Sequence, residues 1–406
     1  MAWDGVQLGR MCAKAQYGYT STSSMDANGP KYLRVTDIRA DRIDWRAVPR
    51  CEILKKDLTK YLLVEGDIVV ARSGSVGYAK QIRAGSPDAV FASYLVRFRP
   101  TTEVCGEYVG LVVTSRAYRS FIEANATGAA QPNANAQVLA SFPVPVPPLP
   151  LQRKIAAVLG AYDELIENNL RRIEILEEMA QAIYREWFVC FRYPGHEADD
   201  LVDSSLGPIP EGWAASTLGD QADMVMGQSP RSEFYNEDGA GLPFHQGVSY
   251  FGKHFPTHIK YCTVKKRIAR AGDTLVSVRA PVGRINVADT DLIVGRGLAA
   301  VASSSGHQGF LYRQLREHFR EEDSMGGGTI FKAITKGDLG GVPIVVPPAD
   351  LVGAFERNER PMFELVTNLS RQNTNLRTTR DLLLPKLISG EIDVSDLDID
   401  TSWLVA

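Results

Sequence analysis

Between Pro147 and Phe191 the apolar positions fall on one stripe. Stepping by four and three residues in turn picks out Ile155, Leu159, Tyr162, Ile166, Asn169, Ile173, Leu176, Ala180, Ile183 and Trp187, apolar everywhere but Asn169. This spacing is the seam of a coiled-coil helix, and roughly 36 residues at about 1.5 Å each make a rod of about 54 Å. A partner is expected where Val346-Pro347-Pro348 repeats Val146-Pro147-Pro148. Beyond it Phe355, Met362, Leu369, Leu376 and Leu383 recur every seven residues, while the intervening rung is mixed: Glu359, Val366, Asn373, Arg380 and Leu387. Pro361 is expected to kink this second helix or mark an early start, and Pro385 with Gly390 to end it. Two such rods lying antiparallel would bury each other's seams. Asn169 would cost stability but fix the register.

The rest of the chain is β-rich and occurs twice. Trp3 with Leu8-Gly9 matches Trp213 with Leu218-Gly219; Gly66-Asp67, Val70 and Val76-Gly77 match Gly272-Asp273, Val276 and Val282-Gly283; Gly128, Leu139 and Pro143 match Gly328, Leu339 and Pro343. The offset shrinks in small steps along the chain, as loop-length differences between two copies of one fold require. Alternation and turn residues predict strands at 31–38, 67–71, 90–98 and 141–146 with a helix at 107–124 in the first copy. The second copy should have strands at 244–248, 274–278, 298–302 and 341–346 with a helix at 309–322. Tyr193 to Gly212, rich in Gly, Pro and acid, has the composition of a linker.

Composition narrows the class. At 406 residues with 44% hydrophobic side chains, two to three domains with real cores are expected. No apolar run reaches membrane-span length, and the N-terminal stretch lacks a signal peptide's apolar segment, so a cytoplasmic location is expected. The five scattered cysteines contain no CxxC, which opposes both a disulfide framework and a cysteine zinc site. The net charge of −3 conceals an asymmetry: residues 1–142 hold 18 basic against 13 acidic side chains, residues 213–342 hold 15 against 13, and residues 389–406 hold five acids and no base. Two mildly basic bodies are compatible with nucleic acid as a ligand.

Enzyme motifs are weak. Gly247 to His254 has the spacing of a phosphate loop, but His254 stands where a Ser or Thr must bind magnesium. His254 and His258 have zinc-pair spacing, yet Pro256 between them opposes a helix and no third ligand lies nearby. No Asn-Pro-Pro-Tyr methyltransferase motif, S-adenosylmethionine glycine loop or GxSxG elbow occurs.

The PxPPLPxQRKIA segment before the first heptad helix, the loops GDIVVARSGSVG and GDTLVSVRAPVG, GAAQPNAN, the ending RDLLLPKLISGEI and the two-fold repeat together resemble the DNA specificity subunit of type I restriction-modification enzymes. The resemblance spans essentially the whole chain. It implies two mixed α/β target-recognition domains (residues 1–146 and 213–346), separated by two long antiparallel coiled-coil helices (147–192 and 347–389). A linker (193–212) and an acidic C-terminal tail (390–406) complete a pseudo-two-fold tandem repeat. It further implies that each domain reads one half of a split duplex DNA site, that the rods set the unread gap, and that the chain does no chemistry. Two methyltransferase subunits, with S-adenosylmethionine, and restriction motor subunits, with ATP and magnesium, would be the partners in phage defence. The alternatives are a specificity subunit whose partner is a fused methylase-nuclease, a self-standing nuclease or ATPase, and a protein-interaction scaffold.

Base reading needs forked donors such as Arg on guanine and Asn or Gln on adenine; phosphates take Lys, Arg, Ser, Thr and backbone N–H. On that basis the DNA-binding candidates in the first copy are Arg34, Thr36, Arg72, Ser73, Ser75, Tyr78, Lys80, Gln131, Asn133 and Asn135. In the second they are Gln228, Arg231, His245, Gln246, Arg279, Arg284, Lys332 and Lys336. Partner contacts are expected on the outward helix faces at Gln152, Arg153, Arg171, Glu174, Glu178, Arg371 and Arg377.

Overall fold

The structure is a computed structural model describing residues 3–39, 42–128, 132–320 and 333–404. The chain divides into two compact units, Met1–Asn168 with Gln372–Ala406, and Asn169–Arg371. Two long helices, Leu149–Phe188 and Ala349–Ser389, each give one half to either unit.

In the first unit an antiparallel sheet runs in the order Gln16–Tyr17, Leu95–Phe98, Ile68–Ala71, Ala79–Gln81. Lys31–Leu33 pairs in parallel with Ala89–Phe91, and Gly5–Gln7 pairs with Pro143–Pro145. The second unit repeats this plan: Ala222–Met226, Leu298–Ser303, Thr274–Ser277 and Ile285–Val287 make the four-stranded sheet. Leu242–His245 is parallel to Leu292–Val294, and Ala214–Thr217 pairs with Pro343–Val346. The repeated Gly-Asp is the same turn twice. Gly66 and Gly272 hold φ of +81° and +96°, and the Asp67 and Asp273 carboxylates accept from the backbone N–H of Val64 and Arg270.

Two elements expected to be continuous are broken. The helix expected at 107–124 is two, Gly106–Val113 and Arg116–Asn125, because Ser115 caps the second by accepting from Tyr118 N–H. The strand expected at 90–98 splits at 92–94, its first part pairing in parallel with one strand and its second antiparallel with another. The stretch expected to be a plain linker contributes Tyr193 and Ile209 to a buried aromatic cluster with Tyr184, Phe188, Trp213 and Phe355.

The second long helix runs unbroken through Pro361 and Pro385, contrary to the expectation that Pro385 ends it. Both prolines are exposed, and Gly390 at φ +75° closes the helix, with Ile392 N–H bonded to Lys386 O. Within each unit the two helices pair antiparallel. In the first, Ile166 lies against Asn373 and Asp163 against Arg380, while Leu159 and Ile155 share a core with Leu387. In the second, Ile173 packs on Val366 and Leu369, and Phe188 on Phe355.

The seam differs from the strongest sequence signal. Of the heptad residues Phe355 and Leu369 are buried, but Met362, Leu376 and Leu383 are half-exposed. The mixed rung is deeper: Glu359 is 2% exposed, Val366 0%, Asn373 1% and Leu387 2%. Its polar members are tolerated because each has a partner (Arg313 for Glu359, Ile166 O for Asn373, Asp163 for Arg380). The acidic tail is also pinned. Val394 and Leu404 are buried in the first unit's core, and Lys154 Nζ donates to Ser395 O and Leu397 O.

Candidate nucleic-acid interface

In the first unit the hairpin following Ile68–Ala71 and residues 133–134 are tied together. Ala134 N–H donates to Arg72 O, and Ser73 bridges to Asn133. The Arg72 guanidinium lies 5.0 Å from the Tyr17 ring centroid and donates to Asn133 Oδ1 at 3.4 Å, and the Tyr17 hydroxyl accepts from Ala136 N–H at 3.0 Å. Tyr78 carries the Arg119 guanidinium 3.9 Å above its ring. Thus Arg72, Ser73 and Asn133 come together, but Ser73 is buried and Asn135 is spent capping a short helix by accepting from Val138 N–H. Ser75 and Lys80 are half-buried.

Arg34 is tied back. Its guanidinium meets Asp37 through Nε at 3.0 Å and Nη2 at 2.8 Å, and this hydrogen-bonded carboxylate raises its pKa above the ordinary arginine value. Thr36 beside it is exposed. Gln131 and Lys332 lie outside the described residues.

In the second unit Gln246, Gly247, Val248, Arg279, Ala280, Arg296 and Gly297 line an open concavity of about 150 Å³. Strand register shows that its positions answer to those of the first unit. Leu33 faces Phe91 where His245 faces Val294, so Gln246 occupies the place of Arg34. Ala71 faces Leu95 where Ser277 faces Leu298, so Arg279 stands for Ser73, Arg296 for Ser93 and Gly297 for Tyr94. Arg279 bridges to Ala333 as Ser73 bridges to Asn133.

His245 is not a base reader. It is 1% exposed, its Nε2 is 2.9 Å from His258 Nδ1, and His258 Nε2 is 3.0 Å from Asp289 Oδ1. Burial holds its pKa down at about 4, so it is a neutral core group at pH 7. His254 and His258 do not act as a pair either, since His254 lies 3.3 Å from the Tyr312 hydroxyl. Among the described residues no cluster of His, Cys, Asp and Glu is arranged to hold a metal. Gln228, Arg231 and Arg284 are exposed, Arg231 beside Glu233 at 3.8 Å, and Lys336 is the first residue of a short helix capped at its N-terminus by the Thr335–Asp338 capping box.

Residue-type reasoning missed Tyr94 and Arg296. Tyr94 is 58% exposed next to the hairpin and accepts Arg72 N–H on its carbonyl. The Gly295-Arg296-Gly297 triplet was a usable signal, because glycines on both sides of an arginine mark a close backbone approach.

On the helices, Gln152 is not an outward contact. It is buried; its Oε1 accepts Cys105 N–H at 3.0 Å and its Nε2 donates to Pro147 O. In the second unit Glu356 does the corresponding work, accepting Phe310 N–H at 2.8 Å. Arg171, Glu178 and Arg371 are exposed, Arg153 and Arg377 half-exposed, and Glu174 pairs with Lys253 at 3.3 Å. Deeper in the second unit Arg313, with 0% exposure, is clamped between Glu177 and Glu359. Burial opposes the charge on Glu177, but His254, Arg313 and Arg316 outweigh it and hold the carboxyl at about 2. The domain helix carrying Arg313 is thereby fastened to both long helices.

Residues 2–178 match the family described as the type I restriction modification DNA specificity domain. A Methanocaldococcus jannaschii chain provisionally named the MjaX type I restriction enzyme specificity subunit is 28% identical over 405 residues, covering 97% of this chain and 94% of its own. The HindI specificity subunit of Haemophilus influenzae is 22% identical, covering 84% and 91%. The crystal structure of a type I restriction-modification S subunit from M. genitalium covers 95% of this chain and 96% of its own, with 15% identity and a TM-score of 0.54, a likeness of fold. Over nearly its whole length, then, the chain is similar to proteins named as type I restriction enzyme specificity subunits, and its first 178 residues match the model of that DNA specificity domain.

Proposed function

We propose that the chain recognises a bipartite double-stranded DNA site, each unit reading one half. The observation that carries this is one fold built twice with different side chains at matching positions. Arg34 is replaced by Gln246, Ser73 by Arg279 and Ser93 by Arg296, on frameworks whose strand registers coincide. Different donors on the same framework read different bases.

In this reading the long helices, each shared between the units, set the length of DNA left unread. The chain itself is non-catalytic and delivers two methyltransferase subunits for adenine N6 methylation and restriction subunits for cleavage. S-adenosylmethionine, ATP and magnesium belong to those partners. Arg153, Arg171, Glu174, Glu178, Arg371 and Arg377 are the helix positions assigned to partner subunits, and charge reversal there should weaken assembly without changing the site read. The test is selection from random duplexes by the chain assembled with its methyltransferase subunits, at several salt concentrations. Enrichment of a two-part motif supports the proposal. Equal binding of all duplexes, or robust turnover of DNA or ATP by the chain alone, contradicts it.

A further inference from the structure

We infer that Arg296, which the sequence patterns did not single out, is the principal base-reading residue of the second unit, acting with Gln246 and Arg279. The inference rests on the DNA-recognition function above and assigns its chemistry. Gln246 follows the strand Leu242–His245 and Arg296 follows Leu292–Val294; these strands are parallel, so both side chains leave from the same strand ends. The two backbones are locked together. Gly295 N–H donates to His245 O and Gly297 N–H to Gln246 O, at 2.8 and 2.9 Å.

The glycines allow this contact. A Cβ on Gly295 would lie 2.7 Å from Gln246 Cα, and one on Gly297 2.4 Å from Gln246 O. Arg279 reaches the same concavity from the hairpin after Thr274–Ser277. Among the described residues no ion pair ties Arg279 or Arg296 to a carboxylate, whereas Arg34, at the Gln246 position of the first unit, is held by Asp37. Forked, uncommitted donors on a backbone fixed this closely suit bidentate reading of base edges, Arg on guanine N7 and O6 and Gln on adenine N6 and N7. A phosphate contact needs charge but no such precision.

Arg296→Lys separates the two roles, because lysine keeps the charge and loses the fork. The full chain assembled with its methyltransferase subunits is assayed by mapping methylated adenines and by duplex binding against salt. Arg296→Lys and Arg296→Ala should both relax one position of one half-site, lowering discrimination there by roughly ten- to a hundred-fold, with the other half unchanged. Gln246→Ala should relax a neighbouring position of the same half. An unchanged motif would overturn the assignment, as would an Arg296→Ala variant that weakens all duplexes alike and lowers the salt slope by about one while Arg296→Lys restores binding. If the wild type itself selects no sequence, the recognition function falls and the assignment falls with it.

Discussion

Arg313 shows what a single residue can do here and what a sequence hides. A fully buried guanidinium between Glu177 and Glu359 is costly to assemble but costlier to break, since removing one member leaves uncompensated charge. Arg313→Met should therefore destabilise the second unit by about 3–5 kcal/mol in urea denaturation, and adding Glu177→Gln with Glu359→Gln should recover part of that. Acid should act on the same core. Burial holds His245 and His254 at about 4, against 6.5 for an ordinary histidine, the latter facing Glu177, Arg313, Arg316 and Tyr312. The unfolded chain gains these protons near pH 6.5 while the folded one does not, so stability present above pH 6.5 is lost as pH falls towards 4. Glu177 adds a further loss between its ordinary 4.5 and about 2. Thermal midpoints should fall from pH 7 to pH 5, and replacing both histidines by glutamine should flatten that slope. The turn role of Gly66-Asp67 and Gly272-Asp273 was legible because it is local. The burial of His245 and the tie of Arg34 to Asp37 were not, because residue type gives donors and says nothing of what already occupies them.

The long helices were the most legible elements, since a seven-residue apolar repeat sustained over five turns or more leaves few other structures open. The depth of the mixed rung was not legible. Glu359 and Arg380 look like surface residues until Arg313 and Asp163 are placed beside them, and those partners lie far away in the chain. Pro385 was over-read as the end of the second helix. Pro361 and Pro385 face solvent, where the hydrogen bonds they forfeit can be replaced by water, so the helix passes through both. Asn373 is the seam residue with a testable trade-off, being 1% exposed with its amide 3.4 Å from Ile166 O. Asn373→Leu should raise the denaturation midpoint and broaden the species seen by size-exclusion with light scattering, as expected of a polar register residue. A lowered midpoint would make Asn373 a net stabiliser instead.

For the whole molecule, duplication was plain from matched Trp, Gly-Asp and Pro-Pro positions, and the strand registers carry it down to single residues. What sequence could not supply was the exact equivalence of surface positions. Matching donor to donor along the two copies would set Arg34 against His245, whereas register pairs Leu33 with His245 and Arg34 with Gln246. That one-step correction moves a buried histidine out of the candidate interface and brings Arg296 in. The decisive measurement is a map of methylated adenines in cells carrying this chain and its partner subunits, compared with cells in which residues 1–142 are exchanged for those of a relative. Independent reading by the two units requires a two-part motif in which only one half changes and the other half stays as it was. A motif altered in both halves, or altered in neither, would contradict it.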